Sequence, residues 1–284
     1  MSDWQDWIGR EQAAIDCVDR AMAARWCATF DRQIPADGVM PQGIHLCLCL
    51  PDAPTAGLGE DGHPLRDDTP GSFLPPVPLP RRMWASSAMA FHHPVPVGAA
   101  VERVSRVHSI EAKSGKRGDM VFVEVDHDTL ADGVRAVSER QTLVYLEGLA
   151  PDTPLSPLPG DGGFDSSGWD AHRIVQPDER LLFRYSALTF NTHRIHYDAP
   201  YARDVERYRG LVVHGPLTAS LLLQLAGRHF GENRLASFAF RGLSPAIAGE
   251  PLHLLLRGSD DAVEMAAFAG DGRQVTQAQA SLSG

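Results

Sequence analysis

Apolar and polar residues alternate along the first half of the chain with two different periods. Over residues 5–30, eight apolar residues recur at three- and four-residue intervals, which is typical of an amphipathic helix packed on another surface. Alternating runs then predict four antiparallel strands, around residues 85–92, 101–110, 120–127 and 136–145. The first half is therefore predicted to be a helix followed by an antiparallel meander.

The second half shows a similar succession of patterns. The run at 181–190 predicts a strand, and the mostly apolar segment 216–230 predicts a buried helix. Four further strands are predicted near residues 236–241, 251–257, 263–269 and 274–282, and Asp271-Gly272 supplies a hairpin turn. Each half is thus predicted to combine a helix with an antiparallel sheet, although we detect no sequence repeat between them.

Two segments lack a period. Residues 51–80 are rich in Pro, Gly and Asp yet carry apolar side chains, which predicts an ordered loop laid over the body, where long loops often line binding sites. Residues 148–177 are rich in Pro, Gly and Ser, and they are interpreted as a linker. The predicted division is an N-terminal unit at 1–147, the linker at 148–177 and a C-terminal unit at 178–284.

Composition excludes several partners. A net charge of −10 and a pI near 5.6 argue against nucleic acid and anionic membranes, which reward a basic surface. The start of the chain lacks the features of a signal peptide, and no apolar run reaches the ~20 residues that span a bilayer, so a cytoplasmic location is expected. The four cysteines have neither zinc-ligand nor redox spacing and are interpreted as buried apolar residues.

A small anionic ligand stays open, since it needs only a local basic cluster, and nearly all positive charge here is arginine. Residues 113–117 form the densest basic cluster, which is otherwise interpreted as a solvated hairpin tip. The glycines at 57, 59 and 62 match the dinucleotide pattern G-x-G-x-x-G, but the prolines at 64 and 70 prevent the helix that would hold pyrophosphate. Nucleotide binding is therefore rejected.

Histidine pairs invite a metal site, which the sequence supports weakly. His193 with His196, and His92 with His93, have spacings at which imidazoles can share an ion. A third and fourth ligand and an H-E-x-x-H helix are not evident, so no metal is expected. A G-x-S-x-G elbow is also missing from the sequence, which argues against a serine hydrolase.

The stretch "NTHRIHYD" at 191–198 and "LVVHGPL" at 211–217, which opens the predicted buried helix, carry the most chemistry. Together they resemble the motif of MaoC-like, (R)-specific enoyl-thioester hydratases of the hot-dog superfamily, in which an Asp and a His five positions apart hold a water. With "LPPVPLPRRMWAS" at 74–86, they resemble the double-hot-dog subgroup that contains mesaconyl-C4-CoA and itaconyl-CoA hydratases and mitochondrial-type 3-hydroxyacyl-thioester dehydratases. The resemblance implies an α+β fold of two fused hot-dog units.

The resemblance also implies roles. His196 is expected to be the principal acid and base, and the Gly215 N–H is expected to stabilise the thioester oxygen. Asn191 stands where the motif has Asp, and an amide can orient water but cannot accept a proton. Asp198 is expected either to orient His196 or to serve packing. Candidate substrate-binding residues are His193 and Arg194 for a free carboxylate, Arg81 and Arg82 for CoA phosphates, and Ser220.

The implied reaction is the reversible hydration of a short, branched dicarboxylic enoyl-CoA, such as itaconyl-CoA or mesaconyl-C4-CoA to citramalyl-CoA. No cofactor is expected, since CoA belongs to the substrate. Three alternatives stay open: a 3-hydroxyacyl-thioester dehydratase acting on carrier-protein or CoA thioesters, a hot-dog acyl-CoA thioesterase, and a non-catalytic acyl-CoA-binding module. Arg194 is equally expected in a structural salt bridge, and a homo-oligomer stays open.

Overall fold

A large antiparallel sheet dominates the computed structural model, which describes residues 4–115, 118–150 and 152–284. Ten strands of these described residues form the large sheet, and β2 and β4 form a separate small one. The strands are β1 (Glu11–Cys17), β2 (Val39–Met40), β3 (Arg81–Phe91), β4 (Val95–Pro96), β5 (Ala100–Gly115), β6 (Gly118–Ala131), β7 (Val134–Leu146), β8 (Ala171–Val175), β9 (Leu235–Gly242), β10 (Leu252–Arg257), β11 (Val263–Ala269) and β12 (Gln274–Leu282).

The strand order of the large sheet reveals an internal repeat. Across the sheet the order is β1-β5-β6-β7-β3-β9-β12-β11-β10-β8, so each half places its first strand at an outer edge. The second strand that each half contributes to the large sheet, β3 or β9, lies at the junction. There the two strands pair antiparallel, with Ala88 opposite Ala239. The two halves thus have the same strand order, and backbone hydrogen bonds join them into one continuous sheet.

The helices repeat in the same way. They are α1 (Arg20–Thr29), α2 (Glu179–Leu188), α3 (Ala199–Asp204) and α4 (Gly215–Phe230). α1 and α2 each follow the first strand of their half, and each begins at an aspartate, Asp19 or Asp178, whose side chain accepts a hydrogen bond from the first turn. The two helices pack together, and the rings of Phe30 and Tyr185 lie 6.4 Å apart, edge to face.

α4 forms the centre of the core. Every residue from Leu217 to Ala226 is buried, because seven of these ten residues are apolar and the helix packs against β8, β9, β10 and β11. Each fully buried leucine in such a helix contributes about 1.5–3 kcal/mol of hydrophobic free energy. This packing fixes the start of the helix, and therefore Gly215, relative to the sheet.

Two predicted elements are wrong in type. The predicted helix at 5–30 is the edge strand β1 followed by α1, and β1 has almost no buried residue, so its own pattern did not reveal it. The predicted strand at 181–190 is α2, in which Leu182, Tyr185 and Leu188 are buried at helical spacing while Phe183 is exposed. The apolar run at 181–183 therefore belongs to an amphipathic helix and not to a strand.

The other predicted strands are confirmed, with β3, β5, β6, β7, β9, β10, β11 and β12 covering them. The predicted linker is wrong at its end, since Ala171–Val175 form β8, and the other domain bounds stay predictions. Cys17 is exposed, whereas the other three cysteines are buried as expected. In the basic cluster, Lys113 pairs with Glu111, and residues 116 and 117 lie outside the described residues.

Candidate active site

Residues 191–198 form the tight connection between α2 and α3. After α2 the chain turns at Phe190, whose φ is +46°, and the N–H of Asn191 donates to the Ser186 carbonyl oxygen at 2.9 Å. A single turn of 3-10 helix follows at Arg194–His196. The stretch is therefore folded back on itself between two helices.

His196 is buried, and one of its ring nitrogens has a defined partner. Nδ1 lies 2.7 Å from the Val212 carbonyl oxygen. Because a carbonyl only accepts, Nδ1 carries the proton and Nε2 keeps its lone pair. Burial, with smaller effects from neighbouring groups, lowers the pKa of His196 to about 3. The ring is therefore neutral near pH 7 and has a free basic nitrogen.

The first residues of α4 lie against His196. The ring of His214, directly before Gly215, stacks on the His196 ring with centroids 3.5 Å apart and 19° between planes. Nε2 of His214 lies 2.9 Å from Ser186 Oγ, which ties this end of α4 to α2. Gly215 is exposed, and a Cβ atom there would meet no neighbouring atom within 4 Å. Open space therefore adjoins the Gly215 α-carbon at the start of the helix, and the first N–H of the helix has no intrahelical acceptor.

Asn191 and Ser220 both have structural contacts. The Asn191 Oδ1 accepts from the His193 N–H at 2.9 Å, which stabilises the turn and leaves the amide N–H groups for another partner. Ser220 is fully buried in α4, with its Oγ 3.5 Å from the Tyr185 hydroxyl. The predicted roles of Asn191 with water and of Ser220 with substrate stay predictions.

Asp198 does not orient His196, whose ring is held by Val212. The Asp198 carboxylate instead accepts from Arg194 at 2.7 Å and from the Tyr201 N–H at 3.1 Å, where it begins α3. Arg194 also donates to the Glu60 carbonyl oxygen and lies over the Tyr201 ring. These contacts occupy the guanidinium, so Arg194 has the structural salt bridge that was the alternative to carboxylate binding.

The predicted ordered loop at 51–80 reaches this site from the N-terminal half. The Arg194 N–H donates to the Asp61 carbonyl oxygen at 2.9 Å, and Thr192 Oγ1 donates to the Gly62 carbonyl oxygen at 2.5 Å. The ring of His63 lies 4.0 Å from that of His193, and His63 Nδ1 lies 3.0 Å from the Asp61 carboxylate. The site is therefore built from both halves of the chain.

Gly62 permits this docking, and its replacement gives a first prediction. A Cβ atom at Gly62 would lie 1.9 Å from the Thr192 carbonyl oxygen, and its φ is +87°. Gly62→Ala is expected to lower the free energy of unfolding by about 1–3 kcal/mol in urea titration, because the backbone must shift. Gly57→Ala in the same loop is the control, since its Cβ would make ordinary contact with Pro54. Equal stability of the two variants would show that the docking is unimportant.

The two arginines predicted for CoA phosphates differ in their partners. Arg81 pairs with Glu206 at 3.4 Å. The guanidinium of Arg82 forms no hydrogen bond or ion pair with the residues that the structure describes, and it lines a cavity next to His63. Their contact with CoA stays a prediction.

Asp61, His63 and His193 are the one group in the described ranges with metal-ligand character. Their ligand atoms all lie within 4.8 Å of one another. Three such residues could hold a divalent ion, but tetrahedral zinc requires a fourth ligand. The two histidine pairs considered from the sequence, His193 with His196 and His92 with His93, do not occur together in such a group within the described residues.

Sequence reasoning missed His214, Asp61 and His63. His214 could have been found, since it stands directly before Gly215 and must lie at the same helix end. Asp61 lies within the rejected glycine pattern at 57–62 and His63 directly follows it, in a loop that no long helix follows, as predicted. Nothing local in the sequence connects them with His193, 130 residues further on.

With a basic imidazole beside the open start of a buried helix, the site and sheet define a class of enzyme. The family model of hydroxyacyl-thioester dehydratase type 2 matches residues 43–248. The chain belongs to this family, and it is a hydro-lyase of the hydratase and dehydratase class.

Individual relatives agree with this assignment. Mesaconyl-C(4)-CoA hydratase of Chloroflexus aurantiacus is 40% identical over 286 residues, which cover 100% of this chain and 99% of that protein. The mitochondrial hydroxyacyl-thioester dehydratase type 2 of Schizosaccharomyces pombe is 26% identical over 86% of this chain and 87% of its own. Both match most of their length.

Solved structures confirm the fold. A MaoC-like dehydratase from Phytophthora capsici superposes with a TM-score of 0.70 at 13% identity, covering 97% of this chain and 96% of that one. A Mycobacterium tuberculosis protein with a double hot-dog fold gives a TM-score of 0.58 at 18% identity, covering 97% and 96%. The predicted α+β double hot-dog fold is therefore confirmed. None of the helices in the described residues combines the length and hydrophobicity needed to cross a bilayer.

Proposed function

We propose that the protein catalyses the reversible hydration of a short, branched enoyl-CoA with a second carboxylate, such as mesaconyl-C4-CoA or itaconyl-CoA, to citramalyl-CoA. The observation that carries the proposal is the neutral His196 ring beside the open start of α4. The full-length similarity to mesaconyl-C(4)-CoA hydratase supports the choice of substrate.

The proposed reaction starts at His196. With mesaconyl-C4-CoA as substrate, the free Nε2 of His196 takes a proton from water while the hydroxyl bonds to the β-carbon, and negative charge moves to the thioester oxygen. The Gly215 N–H donates to that oxygen, aided by the positive end of the α4 dipole. The protonated ring then returns a proton to the α-carbon, so that one water is added in full and His196 regains its starting state.

Asn191 is proposed to hold the water. Its Oδ1 already accepts from the His193 N–H, which leaves its two amide hydrogens as donors to the water oxygen. Since the Asn191 amide cannot act as an acid or a base near neutral pH, His196 alone acts as acid and base. This division needs no metal or redox cofactor, and we propose that the protein works without one, in the cytoplasm.

Hydration assays on a panel of thioesters test the proposal. We expect mesaconyl-C4-CoA to lose enoyl absorbance with a kcat/KM at least about 10-fold above that of crotonyl-CoA, since one charge-assisted hydrogen bond supplies this preference. Hydration of itaconyl-CoA, whose double bond is not conjugated with the thioester, is followed by the formation of citramalyl-CoA. Release of free thiol without hydration would instead identify a thioesterase. Tight binding without either signal would identify an acyl-CoA-binding module, and a preference for long 3-hydroxyacyl thioesters would identify a fatty-acid dehydratase.

A further inference from the structure

A cavity of about 120 Å³ is lined by residues of the loop 59–66 together with Pro80 and Arg82. The same loop contacts residues 192–194 beside His196. His63 forms part of its wall, and the His63 ring contacts His193 with centroids 4.0 Å apart. His193 in turn contacts His196, with centroids 5.5 Å apart. The cavity wall at His63 is therefore connected to the proposed base through the ring of His193.

Two positive charges and one negative charge line this cavity, from Arg66, Arg82 and Asp61. The Asp61 carboxylate is already hydrogen-bonded to His63 through both the ring and the backbone N–H. Burial raises its pKa and these hydrogen bonds lower it, with a net fall to about 2, so Asp61 is ionised. Two guanidinium groups and one carboxylate thus give the cavity a net positive charge.

The guanidinium groups of Arg66 and Arg82 differ in their hydrogen-bond partners. Arg66 donates to the carbonyl oxygens of Val77, Leu79 and Pro80, so its guanidinium holds the loop. Arg82 is half-buried and its guanidinium has no hydrogen-bond or ion-pair partner anywhere in residues 4–115, 118–150 and 152–284. A guanidinium stays charged at any pH that a protein tolerates, and its donors suit a carboxylate.

We propose that Arg82 binds the free carboxylate of the substrate in this cavity. The inference deepens the proposed function and rests on it. In mesaconyl-C4-CoA the free carboxylate is attached to the β-carbon, which receives the hydroxyl and must therefore lie beside His196. His193 contacts His196 and also His63, which lines the cavity together with Arg82. Arg194, the nearer arginine in sequence, is instead held by Asp198.

Substitution of Arg82 with a matched pair of thioesters tests this assignment. The pair is mesaconyl-C4-CoA and 3-methylcrotonyl-CoA, in which a methyl group replaces the carboxylate. We expect Arg82→Gln to raise the KM for mesaconyl-C4-CoA by about 10- to 100-fold, as for loss of a hydrogen bond to a charged group. The KM for 3-methylcrotonyl-CoA should change by less than about 2-fold. If the enzyme does not turn over 3-methylcrotonyl-CoA, its inhibition constant against mesaconyl-C4-CoA is measured instead.

Two controls make the result specific. Arg135→Gln removes the same charge from an exposed pair with Asp128 and should leave both constants unchanged. Arg82→Lys keeps the charge without the planar fork and should lie between wild type and Arg82→Gln.

An equal rise for both thioesters would assign Arg82 to CoA or to the fold and overturn the proposal, as would no rise for either. Failure of the wild type to hydrate mesaconyl-C4-CoA would instead contradict the proposed function. The subsite would then still be tested by competition binding of the same two thioesters to wild type and Arg82→Gln.

Discussion

Replacing His196 with alanine is expected to lower kcat for hydration of mesaconyl-C4-CoA by about 100- to 10,000-fold, the usual contribution of a general acid or base. The reason is geometric: Val212 fixes the proton on Nδ1, so only Nε2 can accept a proton from water. Neither Asn191 nor Asp198 can replace it, since one is an amide and the other is bound to Arg194 and the start of α3.

The loss must be separated from damage to the fold, because His196 is buried. His196→Gln keeps a side-chain donor for the Val212 carbonyl oxygen and should be nearly as inactive while retaining the wild-type thermal stability. Since burial lowers the pKa of His196 to about 3, the ring stays a neutral base when the pH falls below its ordinary value. The wild-type kcat should therefore not titrate near pH ~6.5. A folded His196→Gln variant with full activity would contradict the assignment.

Adding a side chain at Gly215 is expected to cause the second large loss. The Cβ of Gly215→Ala would enter the open space at the start of α4, where the thioester is proposed to bind. We expect kcat/KM to fall by about 100- to 1,000-fold, comparable with loss of an oxyanion donor, and Gly215→Val to lose more.

Stability serves as the internal control for this prediction. Alanine is favoured over glycine in a helix by roughly 0.5–1 kcal/mol, so Gly215→Ala should unfold at the same urea concentration as wild type or a higher one. A variant that keeps full activity would show that the thioester binds elsewhere. A variant that loses activity only in proportion to its folded fraction would leave Gly215 without a role beyond the fold.

The fold could be predicted where a segment has one buried face. The long strands and α4 have strong periods because each has an apolar side packed into a hydrophobic cluster, and their prediction is confirmed. β1 could not be predicted, since an edge strand with exposed side chains has no apolar pattern. The prediction of a strand in place of α2 is wrong because three consecutive apolar residues fit both a strand and a helix. Asp178 followed by Glu179 is the signal in the sequence that favours the start of a helix.

The site was predictable only where its residues are close in sequence. His196 and Gly215 came from two motifs, and the structure brings them together through the stacking of His214 on His196. The pair of Arg194 and Asp198 follows from their spacing of four residues, which local geometry makes a contact. The arrival of Asp61 and His63 could not be predicted, because it depends on how a long loop of one half docks on the other.

The proposed hydration requires that one imidazole and one backbone amide act on the same enoyl thioester. The most direct measurement is a crystal structure with methylsuccinyl-CoA, the saturated and unreactive counterpart of mesaconyl-C4-CoA. We expect the thioester oxygen at about 2.7–3.1 Å from the Gly215 nitrogen, with the β-carbon facing His196 Nε2 across one water. A thioester oxygen bound away from the start of α4, or a β-carbon shielded from His196, would contradict the joint action of His196 and Gly215.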